Sequence, residues 1–131
     1  MGFFKRLLTP REEEAFVDGC RELSQENYAP ALRHLQAAAH LTDGAFLAGF
    51  LHLKNKDAAR AIPLLEQVAR DYRQLGKHFD KYGLALTLSL PIAEEIAAHV
   101  GPTLRGTLLA LVEAYQVAEQ WEKAHECLQR L

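Results

Sequence analysis

Apolar side chains recur three and four residues apart through most of the chain, the spacing that lines one side of an α-helix. Ala15, Phe16, Gly19, Cys20 and Leu23 form the first stripe. Thr9-Pro10-Arg11-Glu12 opens it: Thr9 suits a cap, Pro10 the first turn, and Glu12 completes a capping box, while Glu13 and Glu14 favour the positive helix end. A helix is expected from about residue 10 until Ser24-Gln25-Glu26-Asn27 breaks the stripe. A second runs from Tyr28 through Ala31, Leu32, Leu35 and Ala38 to His40, with Pro30 tolerated in its first turn. Thr42 and Asp43 offer the next cap, and Ala45 to Leu53 is apolar nearly all round, up to the polar turn Lys54-Asn55-Lys56. Asp57 caps a longer helix through Ala61, Leu64, Leu65, Val68 and Tyr72, bent at Pro63 and closed by Gly76.

From Lys77 the spacing predicts a helix carrying Phe79, Tyr82, Gly83 and Leu86, kinked or restarted at Pro91 and continued from Ile92 to His99, before Gly101-Pro102. Leu84 to Leu90 alternates as a strand would, but no second strand stands out to pair with it, so the helical expectation is kept. Thr103 to Val117 and Gln120 to Leu131 make the last helix pair. Small residues mark a repeat: Gly19 to Ala31 and Gly49 to Ala61 are each twelve apart, the two pairs thirty apart, Gly83 lies thirty-four beyond Gly49, and Val112 and Ala124 are again twelve apart. Small residues let two helix backbones approach where they cross. Helix pairs recurring every thirty-odd residues must stack to bury their faces, which predicts an all-α domain over residues 10–131 built of about four antiparallel hairpins, preceded by an arm at 1–9.

The register resembles that of the tetratricopeptide repeat family. Gly19, Ala31, Leu35 and Ala38 carry the likeness in the first unit and Gly49, Ala61, Leu65 and Val68 in the second. Leu111, Tyr115, Trp121, Ala124 and Leu128 give the fullest match in the last, with Tyr28 standing where Trp121 does. The repeats are degenerate: the family's early Trp and closing Pro are absent, and Glu95 occupies a small-residue position. The resemblance implies a right-handed α-solenoid whose concave face, lined by the first helix of each pair, holds a segment of another protein. On this register the facing positions are Phe16, Cys20 and Leu23, then Phe46, Phe50 and Leu53, then Lys77, Asp80, Leu84 and Thr87, then Leu109, Glu113 and Gln116. The first half of that set is apolar and offers no charge-assisted grip on a carboxylate. It suits an amphipathic helix or extended apolar segment anchored by Phe16, Phe46 and Phe50, unless neighbouring helices bury these same side chains.

Composition narrows the functional classes. The 131 residues are 49% hydrophobic and 24% charged, in the range of a single globular domain, and a formal net charge of -2 supplies no basic field for nucleic acid. Cys20 and Cys127 lie far apart without ligand-type neighbours, which reads as buried thiols in a reducing cytoplasm. None of the six histidines, His34, His40, His52, His78, His99 and His125, stands three or four residues from another. Glu95 and His99 reach one helix face as a surface pair or half a metal site. No phosphate loop, nucleophile elbow or paired-carboxylate motif occurs, so neither an enzyme nor a cofactor is expected.

Two ends remain. Phe3, Phe4, Leu7 and Leu8 flank Lys5 and Arg6 without a signal peptide's apolar core or cleavage site, which leaves an arm that docks on its own domain, on a membrane surface or on another subunit. At the other end Trp121, Cys127, Leu128 and Leu131 have no following helix in sequence to cover them, which suggests self-association, a completing partner or a longer chain. The expectation is a non-catalytic cytoplasmic scaffold or adaptor, with a small chaperone for apolar segments of secreted proteins, or an assembly factor tethered to a membrane through residues 1–8, as alternatives.

Overall fold

A computed structural model describes residues 11–84, 88–93 and 96–131 of the chain. Three helical hairpins carry most of it: α1 (Arg11–Ser24) with α2 (Tyr28–Ala37), and α3 (Thr42–Lys54) with α4 (Ala58–Arg70). Between the second and third hairpins come a 3-10 turn (Tyr72–Gln74), the short α5 (Lys77–Lys81), and the strands β1 (Leu88–Ala93) and β2 (Ile96–Val100). The third hairpin is α6 (Leu104–Val117) with α7 (Trp121–Gln129). Besides pairing within hairpins, α2 packs against α3 and α4 against α6.

Local chemistry accounts for the boundaries. Asp57 caps α4, its Oδ1 accepting from the Arg60 amide at 3.2 Å, and Thr103 caps α6, its Oγ1 accepting from Gly106 at 3.0 Å. All three hairpin turns close alike. The amides of Asn27, Asp57 and Gln120 reach back five residues to the carbonyls of Glu22, His52 and Tyr115, at 2.9, 2.9 and 2.7 Å. Those of Glu26, Lys56 and Glu119 bond the carbonyls of Leu23, Leu53 and Gln116. This is the Schellman closure, with Glu26, Lys56 and Glu119 in the left-handed region at φ 61°, 61° and 59°. Three turns of one geometry, the first two thirty residues apart, express the repeat more clearly than the side chains do.

The small residues work as the spacing predicts in two places. A Cβ on Gly19 would lie 2.6 Å from Leu35 Cγ, and one on Gly49 would lie 2.9 Å from Leu65 Cγ. Each leucine therefore seats directly against the opposite backbone. Gly83 is different. Its φ is 64° with open space around it, so it is a turn residue after α5 and not a helix crossing.

The segment expected as the third repeat is the main departure. The helix from Lys77 stops at Lys81, and where a helix around Pro91 and from Ile92 to His99 is expected, the described residues form the two antiparallel strands β1 and β2, with Leu88 opposite Val100 and Leu90 opposite Ala98, and an irregularity between Pro91 and Ala93. The alternation at Leu84 to Leu90 was the true signal for its latter half, and the partner strand was hidden in an Ala-rich stretch that reads as helix. The described residues are thus mainly helical, with three helical hairpins instead of about four. Helix α4 also ends at Arg70, before Tyr72, and runs unbroken through the exposed Pro63.

Two apolar clusters form the interior. One joins Phe16, Cys20, Leu35, Phe46, Leu47, Leu51, Val68 and Phe79; the other joins Phe50, Leu53, Leu65, Leu108, Leu111, Tyr115 and Cys127. Helix α3 contributes to both, which explains a helix apolar all round: it has covered neighbours on each side.

Candidate functional site

The six apolar side chains expected along a groove, Phe16, Cys20, Leu23, Phe46, Phe50 and Leu53, are all buried. Phe16 meets Phe79 edge-on at 5.3 Å between ring centroids, and Phe46 lies 6.5 Å from Phe50. They are core, and anchor nothing from outside: the register that points them off one helix points them into the next. Leu109 and Glu113 on α6 are partly buried, Gln116 is exposed, and Leu84 packs beside the core just beyond α5 instead of on a helix. Lys77 and Asp80 are exposed, while Thr87, Glu95 and the arm at 1–8 lie outside the described residues.

Burial also governs the cysteines and one histidine. The Cys20 thiol is pushed up to about 12 by burial, reinforced by the Asp43 carboxylate, and burial raises Cys127 as well. His52 is buried and held below the usual histidine range, its Nε2 paired with Gln36 Nε2 at 2.9 Å.

Two buried acids, Glu13 and Asp43, stand thirty residues apart in the first turns of α1 and α3, and both hold α5. Asp43 accepts backbone amides of Gly76 at 2.6 Å, His78 at 2.8 Å and Phe79 at 3.0 Å, so it caps a helix thirty-odd residues away instead of its own. Gly76, at φ 97°, gives the turn that aims these amides inward. Glu13 Oε1 takes Lys81 Nζ at 2.5 Å and the Tyr82 hydroxyl at 3.0 Å, with His78 Nε2 at 3.6 Å. The Lys81 hydrogen bond holds the Glu13 carboxyl below the ordinary carboxylate range despite its burial. Both Asp43 carboxylate oxygens and Glu13 Oε1 are used in holding α5 and the residue after it. In the sequence both acids read only as helix-end charges.

Surface chemistry gathers instead around α7. Leu35 in α2 and Leu65 in α4 are fully buried, each seated against a glycine of the helix before it, whereas Leu128, the same position of α7, is 49% exposed. Ala38 and Val68 are buried where Leu131 is 42% exposed, and Trp121 is 62% exposed. No family model, no curated protein and no solved structure matches this chain. The site is therefore read from its own geometry. Among the described elements α7 packs substantially on α6 alone.

The opposite flank of α7 borders a cleft of about 370 Å³ against α4 and α6, lined by Glu66, Arg70, Tyr115, Lys123, Glu126 and Arg130. Tyr115 donates its hydroxyl to Glu66 Oε2 at 2.7 Å, and its own ionisation is raised by burial and by that carboxylate. Mixed charge of this kind suits salt-sensitive contacts along a rim. Among the described residues no three His, Cys, Asp or Glu side chains gather as metal ligands, and no helix is long and apolar enough to cross a membrane.

Proposed function

We propose that the chain is a non-catalytic protein-interaction module, a scaffold or adaptor built as a right-handed solenoid of tetratricopeptide-like hairpins. On this reading it works in the cytoplasm and holds a segment of another protein. What carries the reading is the end of the third hairpin: Leu128 on α7 and Leu131 just beyond it are exposed where Leu35, Leu65, Ala38 and Val68 are buried, and Trp121 is exposed as its equivalent Tyr28 is. The repeated Schellman turns and the Gly19 and Gly49 crossings support the array. The contact surface differs from the one the family resemblance implies, because the phenylalanines of the first helices are enclosed.

Cross-linked co-purification from the native cell, with the wild type and with Leu128→Glu, tests this. A discrete protein partner recovered by the wild type and lost by the variant is the expected result. Recovery of the same proteins by both would move the contact away from α7 and overturn the assignment.

A further inference from the structure

Tyr28 and Trp121 are the first residues of α2 and α7, and their surroundings differ in one respect. Lys54, the last residue of α3, sets its ammonium 4.5 Å from the centroid of the Tyr28 ring. Among the described residues no cation is placed over Trp121, although a shallow hollow surrounds it, with Glu119 and Glu122 on its rim beside Gln120 and Lys123. An indole face next to two carboxylates is a better seat for a cation than a phenol ring.

We propose that the α7 end face docks a largely apolar helix of a partner protein bearing Lys or Arg in its last turn, seated as α3 is on α2. The inference rests on the interaction role given above and specifies the partner's chemistry. Three observations select this occupant. The face continues the α2–α3 and α4–α6 stacks, each of which is filled by a single largely apolar helix. Its cation position has a worked precedent within the chain in Lys54. A second copy stacked head to tail is poorly matched: where α3 brings the buried Ala48 and Leu51, α1 by the thirty-residue register brings Asp18 and Arg21, an exposed ion pair at 3.3 Å.

Trp121 is the only tryptophan, so its emission reports on this face alone. The probe is a synthetic peptide of residues 42–57, the chain's own α3 with its Lys54, titrated into the intact protein. The expected result is a saturable blue shift, weakened about five- to tenfold by Lys54→Glu in the peptide and abolished by Leu128→Glu in the protein, whose retained helicity is checked by circular dichroism. An emission indifferent to the peptide, or a shift that survives Leu128→Glu, overturns the proposal. So does a shift produced by protein concentration alone, which would assign the face to a second copy. If the peptide fails while a native partner is still lost by Leu128→Glu, only the helix chemistry falls and the interaction role stands.

Discussion

Glu26, Lys56 and Glu119 hold a backbone conformation that costs a side-chain-bearing residue about 1–2 kcal/mol, because Cβ crowds the following carbonyl. Replacing each by glycine removes the crowding and adds unfolded-chain entropy, so a net gain of about 0.5–1 kcal/mol per site is expected, read from urea midpoints. Gly19→Ala and Gly49→Ala go the other way. Alanine gains about 1 kcal/mol of helix propensity but drives a methyl into Leu35 or Leu65, and a net loss of about 1–2 kcal/mol should appear in the same measurement. These glycines were legible in the sequence because their spacing states the crossing directly. The turn residues were not: Glu and Lys carry no mark of a left-handed conformation, and only the three-fold recurrence of the geometry identifies it.

Helix α5 is held from outside, by acids on two other helices. Asp43→Ala leaves three amides of residues 76, 78 and 79 without their acceptor, and a loss of about 3 kcal/mol or more is expected, with Asp43→Asn retaining part of the capping. Acid should act on the same contact. The folded pKa of Glu13 lies below its ordinary value of 4.5, so its contribution is full above that value and is lost as pH falls through the lower folded one. His52, held below 6.5 by burial, has the same sign: its neutral form is favoured in the fold, and protonation on acidification opposes it. The protection of the amides at residues 77–82, taken relative to the intrinsic exchange rate at each pH from 7 to 3, should fall in acid, and Glu13→Gln should weaken α5 at neutral pH and flatten the dependence. None of this was visible in the chain, where Thr42-Asp43 and Glu12-Glu13-Glu14 have the form of ordinary helix beginnings. Of the two strands only the first left a mark, in the alternation that runs to Leu90; the second did not, since Ala97 and Ala98 tolerate helix and their pairing with Leu90 and Pro91 is a tertiary choice.

Along the row, one position has opposite consequences in different hairpins. Leu35→Ala and Leu65→Ala remove fully buried side chains and are expected to cost about 2–5 kcal/mol, whereas Leu128→Ala, half exposed, should stay within about 0.5–1 kcal/mol by urea unfolding. Periodicity gave all three the same reading; what covers each is decided by the neighbouring element. The α-helical pairing and most boundaries could be read from caps at Asp57 and Thr103 and breaks at Ser24 to Asn27, and the exposure of Trp121, Leu128 and Leu131 was expected, but the burial of Cys127 beside them was not, and the enclosure of Phe16, Phe46 and Phe50 was left open. A chain in which each unit touches only its neighbours loses structure unit by unit unless something ties units together. Lys81 and Tyr82 join α5 to α1 across 68 and 69 residues, and Asp43 joins it to α3, so the first two hairpins share a clasp, whereas the third is tied to the second through Tyr115 and Glu66. Uneven cooperativity is therefore expected: native-state amide exchange should show α7 opening first and the segment from Arg11 to Tyr82 opening together after it.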